Sequence, residues 1–486
     1  MSVGRRHFLK LSAGSAAIAL LNRCSQPQRT AQLTVPRSDP IQFQTHSSKN
    51  GLLRLTLEAN ARSIELANRS ANLLTYNGQI PGPLLEANPG DKVQIHFTNR
   101  LAQPTNLHYH GLHIPPTGTG DNVFLKIAPG ESHTYDFQLP QTHPAGTFWY
   151  HPHYHGLVAE QLFGGLAGLF IVRGDLDNIP EVEAAREEFV VLKDFAIDES
   201  GNVADTGHMA SMTGRAGGLL TASGRLNPTL LISEGGLLRL RLLNASTSRF
   251  FRLSIEDHPL YLIATDGGAI AAPIELSDIT LAPGERAELL VKGDRPPGEY
   301  RLLNKPFNPA QSVMMQTQTS SRSETVATLV YDGKTDDVSL PQQLVEVEPL
   351  PAPQTTRQFV LNHGMGGMMG GGMVFLINGQ AFDHNRVDTQ AVLDTIEDWE
   401  IMNTGSMAHP FHIHTNKFQI ISHSGQSAAY LAWKDVVSIA PGERVRIRMA
   451  FKDYAGKTVY HCHILDHEDR GMMGTLELRA KTAFNG

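Results

Sequence analysis

The chain has 486 residues, enough for two to four domains with large buried cores. Its formal charge of -7, from 48 acidic and 41 basic side chains, is modest for that length and speaks against nucleic acid as a partner. Only two cysteines occur, Cys24 and Cys462, so loss of a leader containing Cys24 leaves no internal disulfide.

Residues 1–30 read as an export signal. Arg5 and Arg6 stand before Phe8 and Leu9, and residues 11–21 are apolar and small, a pattern that resembles a twin-arginine signal for folded cargo. Periplasmic or extracellular location is the expectation. Cys24 raises a lipoprotein alternative, but Arg23 before it is a poor fit to the small residue such processing requires. The apolar run is shorter than the ~20 residues of a membrane span, and no other stretch replaces it.

From residue 52 onward, short apolar runs alternate with Gly, Pro and Asn turns, the pattern of β-strands. Two features recur: a strand ending at Asn99, Asn244 and Asn403, and the tetrapeptide Ala-Pro-Gly-Glu beginning at Ala128, Ala282 and Ala440. A period this long marks repeated domains rather than a solenoid. Three β-sandwich domains are expected, at 45–176, 179–331 and 357–486.

The first domain carries His108 and His110, then His151 and His153. In a strand, residues two apart share a face, their Cα atoms about ~7 Å apart, so each pair aims two imidazoles at one place. Asp121 lies in a Gly- and Pro-rich loop between the pairs, where an aspartate is also a common turn former. The second domain has no such pair and is expected to hold no metal. Arg239, Arg241, Arg249 and Arg252 read there as a charged solvent face or a domain contact, while Met209 and Met212 have no evident use.

The third domain opens on a Gly-rich stretch bearing Met365, Met368, Met369 and Met373. Glycine at this density does not pack a core, so the thioethers, soft ligands suited to Cu(I), are expected on a loop. Met407 precedes the run His409-Pro410-Phe411-His412-Ile413-His414, in which His412 and His414 share a face and His409 stands apart. Last comes His461-Cys462-His463, with His467 and Met472 beyond. Cys462 points opposite to its two neighbours, and with His467 and Met472 it supplies three of the four ligands of a blue-copper electron-transfer site.

Four HxH pairs and the HCH string resemble the three-domain multicopper oxidases, and residues 409–414 and 461–473 are most similar to those of periplasmic cuprous oxidases of copper-tolerance systems. The resemblance covers nearly the whole mature chain, strongest at its two ends. It implies an all-β fold of three consecutive cupredoxin-like Greek-key sandwiches holding four copper ions. The type 1 ion belongs to His409, Cys462, His467 and Met472. His108 and His412 would hold the type 2 ion, and His110, His151, His153, His414, His461 and His463 the type 3 pair. His155 stays outside the set.

On this likeness Asp121 and Glu468 relay protons, and four electrons reduce O2 to water after crossing from Cys462 to the cluster, on the order of 10 Å. Cu(I) or a small organic reductant is the implied donor, with Met365, Met368, Met369, Met373 and Met407 as possible Cu(I) contacts, and the protein is expected to be a monomer. A laccase-like oxidase of phenols and aromatic amines is the alternative. A copper-free scaffold, as in division-associated relatives of the fold, is disfavoured because every ligand position is filled.

Overall fold

The computed structural model describes residues 36–66, 69–205, 207–310, 322–365 and 373–481. The export signal with Arg5, Arg6 and Cys24 lies outside them, as do Met368, Met369 and the side chains of Met209 and Met365.

Three pairs of sheets follow one another along the chain. In β1 (Leu52–Leu66), Leu53, Leu55, Leu57 and Ala59 are buried while Arg54 and Thr56 between them face outward. This strand runs parallel to β2 (Lys92–Asn99) in a four-stranded sheet. The partner sheet carries β3 (His108–His110) antiparallel to β4 (Gly146–His151), which sets His108 beside His151 and His110 beside Trp149. Tyr109 and Tyr150 turn into the core with Phe97 and Tyr135. Strand alternation then sends His108, His110 and His151 the other way. The short helix α1 (Val158–Phe163) follows.

The second pair of sheets contains α2 (Gly207–Thr213) as an excursion, and its central strands are β5 (Leu237–Asn244) and the antiparallel β6 (Arg286–Lys292). All of β5 is buried, Arg239 and Arg241 included. Arg239 reaches Glu288 at 2.6 Å and Asp177 at 2.7 Å, and Arg241 reaches Glu288, Glu187 and Asp177 at 2.6 Å each. Thr147 of β4 donates to the same Glu288 at 2.8 Å. The solvent-face expectation is thereby corrected for these two: they form a buried contact between domains, tolerated because each charge has several partners. Arg249 is buried as well, against Asp194, whereas Arg252 is half-exposed beside Asp278.

In the third pair, β7 (Thr355–Met365) and β8 (Met373–Ile377) are antiparallel with Met365 beside Met373, so the methionine-rich stretch joins the strands of a hairpin. Next come β9 (His409–Ile413) and β10 (Gly456–Cys462), antiparallel, with His412 beside His461. Phe411 packs with Trp399, Phe451 and Tyr460 in the core, a burial that contributes about 1.5–3 kcal/mol for such a ring. Helix α3 (Leu465–Asp469) and the final β11 (Met473–Arg479) close the sandwich. Asp469 ties α3 to the first domain, accepting the backbone N–H groups of Gly156 at 2.7 Å and Ala159 at 2.9 Å at the start of α1. No helix among the described residues is long and apolar enough to cross a membrane.

Candidate metal centres

The outward faces of β3 and β4 meet those of β9 and β10, and eight imidazoles converge there, each 0–1% exposed. His108 stacks on His414 with ring centroids 3.7 Å apart, and His110 on His412 at 3.8 Å. The nitrogens sort into groups within 4.8 Å of one another: His110, His151 and His463; His153, His414 and His461; His108, His110 and His412.

Five of these rings are tethered to an acceptor by one nitrogen, and four of the five leave the other bare. Nδ1 faces Asp121 at 2.8 Å in His108, the Pro152 carbonyl at 2.9 Å in His151, the Asp435 carbonyl at 2.8 Å in His412 and the Cys462 carbonyl at 3.0 Å in His461. His110 is reversed, its Nε2 lying 3.0 Å from Asp435 Oδ1. The opposite atoms, Nε2 of His108, His151 and His412 and Nδ1 of His110, are buried without a partner. Nε2 of His461 stands 3.2 Å from that of His153 and 3.0 Å from that of His414, a cluster in which one proton cannot satisfy all three lone pairs. Burial holds His153 down at about 4 and His463 at about 3, and pushes His108, His110, His151, His412 and His414 well below their ordinary value. Neutral, tethered imidazoles with free lone pairs fit copper, and an unmet polar atom of this kind otherwise costs about 1–3 kcal/mol.

Two buried carboxylates border the cluster and titrate in opposite directions. Asp121 accepts from the Tyr109 N–H at 2.9 Å and lies 3.6 Å from His414; burial raises it to about 8, with the Tyr109 hydrogen bond opposing. Glu468 sits 3.1 Å from His461 Nδ1 and 3.5 Å from His153 Nε2. Burial pushes Glu468 up, but His461 and His153 outweigh it and hold the carboxyl at about 2.

A second group lies on the opposite face of β10. Cys462 Sγ is 3.4 Å from His409 Nδ1 and 3.8 Å from His467 Nδ1, and those nitrogens are 3.3 Å apart, giving a buried sulfur and two imidazoles in a triangle. Burial pushes the thiol well above its ordinary value, so ionising it in this pocket would need a bound cation. Met472 is fully buried, its carbonyl accepting from Cys462 N at 3.0 Å and its N–H donating to the His467 carbonyl at 2.9 Å. Met407 is buried in the same core and Met373 half-buried beside it.

The two imidazoles of this triangle are both buried but have different neighbours. His467 stacks on Phe375 at 3.7 Å, and its Nε2 lies 3.2 Å from the carbonyl of Met212 in the middle domain's α2. His409 opens instead toward Gly405: a Cβ there would sit 3.3 Å from His409 Nε2 and 3.5 Å from Nδ1 of the exposed His363. Separately, a cavity of about 660 Å³, lined by Phe124, His155, Phe382 and His384 among others, ends on His153. His155 packs edge-on to Phe382 at 4.7 Å.

Sequence reasoning missed Asp435, Arg286 and Phe375. The first two belong to no motif, and their sole trace is Gly111, directly after the first histidine pair: at φ +89° a Cβ there would meet Arg286 at 2.5 Å and Asp435 at 2.6 Å.

Family models described as multicopper oxidase match residues 58–177, 187–334 and 350–481. A Staphylococcus haemolyticus protein named multicopper oxidase mco is 31% identical over 453 residues, covering 90% of this chain and 91% of that one. A Photorhabdus laumondii relative named cell division protein FtsP is 32% identical over 497 residues, covering 98% of each. A solved multicopper oxidase from Campylobacter jejuni, described as a metallo-oxidase, is 30% identical with a TM-score of 0.82 and covers 92% of this chain and 96% of that one.

Proposed function

The chain belongs to the multicopper oxidase family, oxidases of three cupredoxin-like domains that use O2 and a reductant, and from that premise we propose that it oxidises Cu(I) in copper tolerance, with four bound copper ions. Bound copper supplies one-electron acceptance at the Cys462 centre and four-electron reduction of O2 to water at the histidine cluster. The observation that carries the reading is the placement of Cys462: its sulfur completes one buried triangle while His461 and His463, one peptide bond away on either side, belong to the other. His409, Cys462, His467 and Met472 form the electron-accepting site. His108 and His412 hold one cluster ion, and His110, His151, His153, His414, His461 and His463 hold the other two.

Burial favours the protonated form of Asp121, whereas His461 and His153 favour the ionised form of Glu468, a contrast suited to proton delivery. A small, soft donor suits the entrance, because Phe375 and the Met212 carbonyl cover His467 while Gly405 leaves His409 facing His363. Met373, half-buried against the core of the Cys462 centre, adds a thioether, and Met365, Met368 and Met369 precede it in the sequence. Export by the twin-arginine route to the periplasm or cell exterior belongs to the same reading; changing Arg5 and Arg6 together to Lys should strand the protein in the cytoplasm on fractionation, and unchanged export argues for another route.

The test is oxygen uptake by purified, copper-loaded protein with Cu(I) against a panel of phenols and aromatic amines. Preference for Cu(I) supports the proposal, and preference for the organic donors makes the enzyme laccase-like. A copper-free scaffold is a second reading, favoured by the relative named for cell division, and it predicts no copper retained after dialysis.

A further inference from the structure

Arg286 lies at the start of β6 in the domain that contributes no histidine to either centre, yet it is fully buried and makes five hydrogen bonds. Its guanidinium grips Asp435 through both oxygens, at 2.7 and 2.6 Å, and donates to the carbonyls of Thr147 at 3.0 Å, Gly284 at 2.9 Å and Asp266 at 2.9 Å. Five N–H groups meet five acceptors, so the fork has no spare donor and no freedom to turn. The acceptors come from all three sandwiches: Thr147 from the first, Gly284 and Asp266 from the second, Asp435 from the third.

Asp435 passes this constraint to the cluster. Its Oδ1 lies 3.0 Å from His110 Nε2 and 3.7 Å from His412 Nδ1, and its own carbonyl accepts from His412 at 2.8 Å. One residue thus braces a histidine from each half of the cluster, His110 through its side chain and His412 through its carbonyl. The backbone is cleared for it on two sides. Gly111 leaves the space that Arg286 and Asp435 occupy, and Gly284, at φ +85°, passes so close to His463 that a Cβ would sit 2.8 Å from its ring.

We infer that Arg286 and Asp435 act as a positioning pair through which the middle domain sets the orientation of His110 and His412 and so the copper affinity of the cluster. The inference rests on the eight histidines holding copper. Groups that orient a metal's histidines typically change affinity 10–100-fold when removed. Lys in place of Arg286 keeps the charge but cannot form the planar fork.

The test compares wild type, Arg286→Lys and the double variant Arg286→Met with Asp435→Leu, the last designed so that no buried charge is left unpaired. Copper per chain is measured during dialysis against a graded chelator, together with the blue absorption of the Cys462 centre and the electron paramagnetic resonance signal of the remaining copper. The expected result is about 10-fold weaker retention of cluster copper in Arg286→Lys and up to 100-fold in the double variant, with the blue band intact and the resonance parameters of the His108 and His412 ion shifted. Wild-type retention and an unshifted resonance in Arg286→Lys overturn the inference whatever the double variant does. If wild type itself retains no cluster copper, it is the ligand assignment that fails instead.

Discussion

Cys462 lies directly opposite Phe411 across the antiparallel pairing of β9 and β10, so its sulfur is held in the third-domain core while His461 and His463 face the first domain. Replacing Cys462 by Ser removes the only thiol of that core and leaves the eight cluster histidines untouched. The expected outcome is loss of the blue absorption and of turnover, with most cluster copper retained by metal analysis. A variant that stays blue would show that another group is the sulfur ligand.

Asp121→Asn keeps the shape of the loop and its contacts to His108 and Tyr109 but cannot exchange a proton. Turnover should fall by about 10²–10⁴-fold, the usual worth of a positioned acid, while copper content and the blue band stay near wild type. Oxygen uptake at saturating reductant measures it. Undiminished turnover would return Asp121 to the role of a turn former.

The metal-free protein should lose stability in mild acid. His153, His409 and His463 are held at about 4, 3 and 3 by burial, with neighbouring imidazoles or His363 adding to it, whereas an unfolded histidine titrates near 6.5. Below about pH 6.5 the unfolded chain takes up protons that the folded one refuses, so this stabilisation is complete above that pH and drains as pH falls toward 4. Each such histidine contributes a loss of up to about 1.4 kcal/mol per pH unit. Urea unfolding of the apoprotein between pH 7 and 4.5 is the measurement, and a flat profile over that interval would contradict neutral buried imidazoles.

Changing Met365, Met368, Met369 and Met373 together to Leu preserves size while removing sulfur. A fall in kcat/KM for Cu(I), with oxidation of a bulky organic donor unchanged or raised, is expected. Equal losses for both donors would indicate damage to the hairpin, and intact cuprous oxidation would make the stretch a plain connection.

The three-sandwich plan was legible because its signals are local and repeated: alternation in strands such as β1, and turn tetrapeptides at matching places. The histidine pairs were legible for the same reason, since a period of two along a strand survives in the sequence itself. What escaped depends on chain crossings. Asp435 and Arg286 are 149 positions apart, and neither carries a neighbouring pattern that announces the other. The arginines of β5 misled in part because an alternating charged strand looks the same whether water or a ring of carboxylates receives it.

His153 and His461, whose Nε2 atoms nearly touch, are separated by 308 positions. The ribosome therefore makes the first domain's half of the cluster long before the other half exists, and Cys462, His467 and Met472 follow on the third domain. A product that stops before the third domain can display pairs of histidines, but it holds only half of the cluster. Completion of the histidine cluster is thus postponed until the third domain has been made.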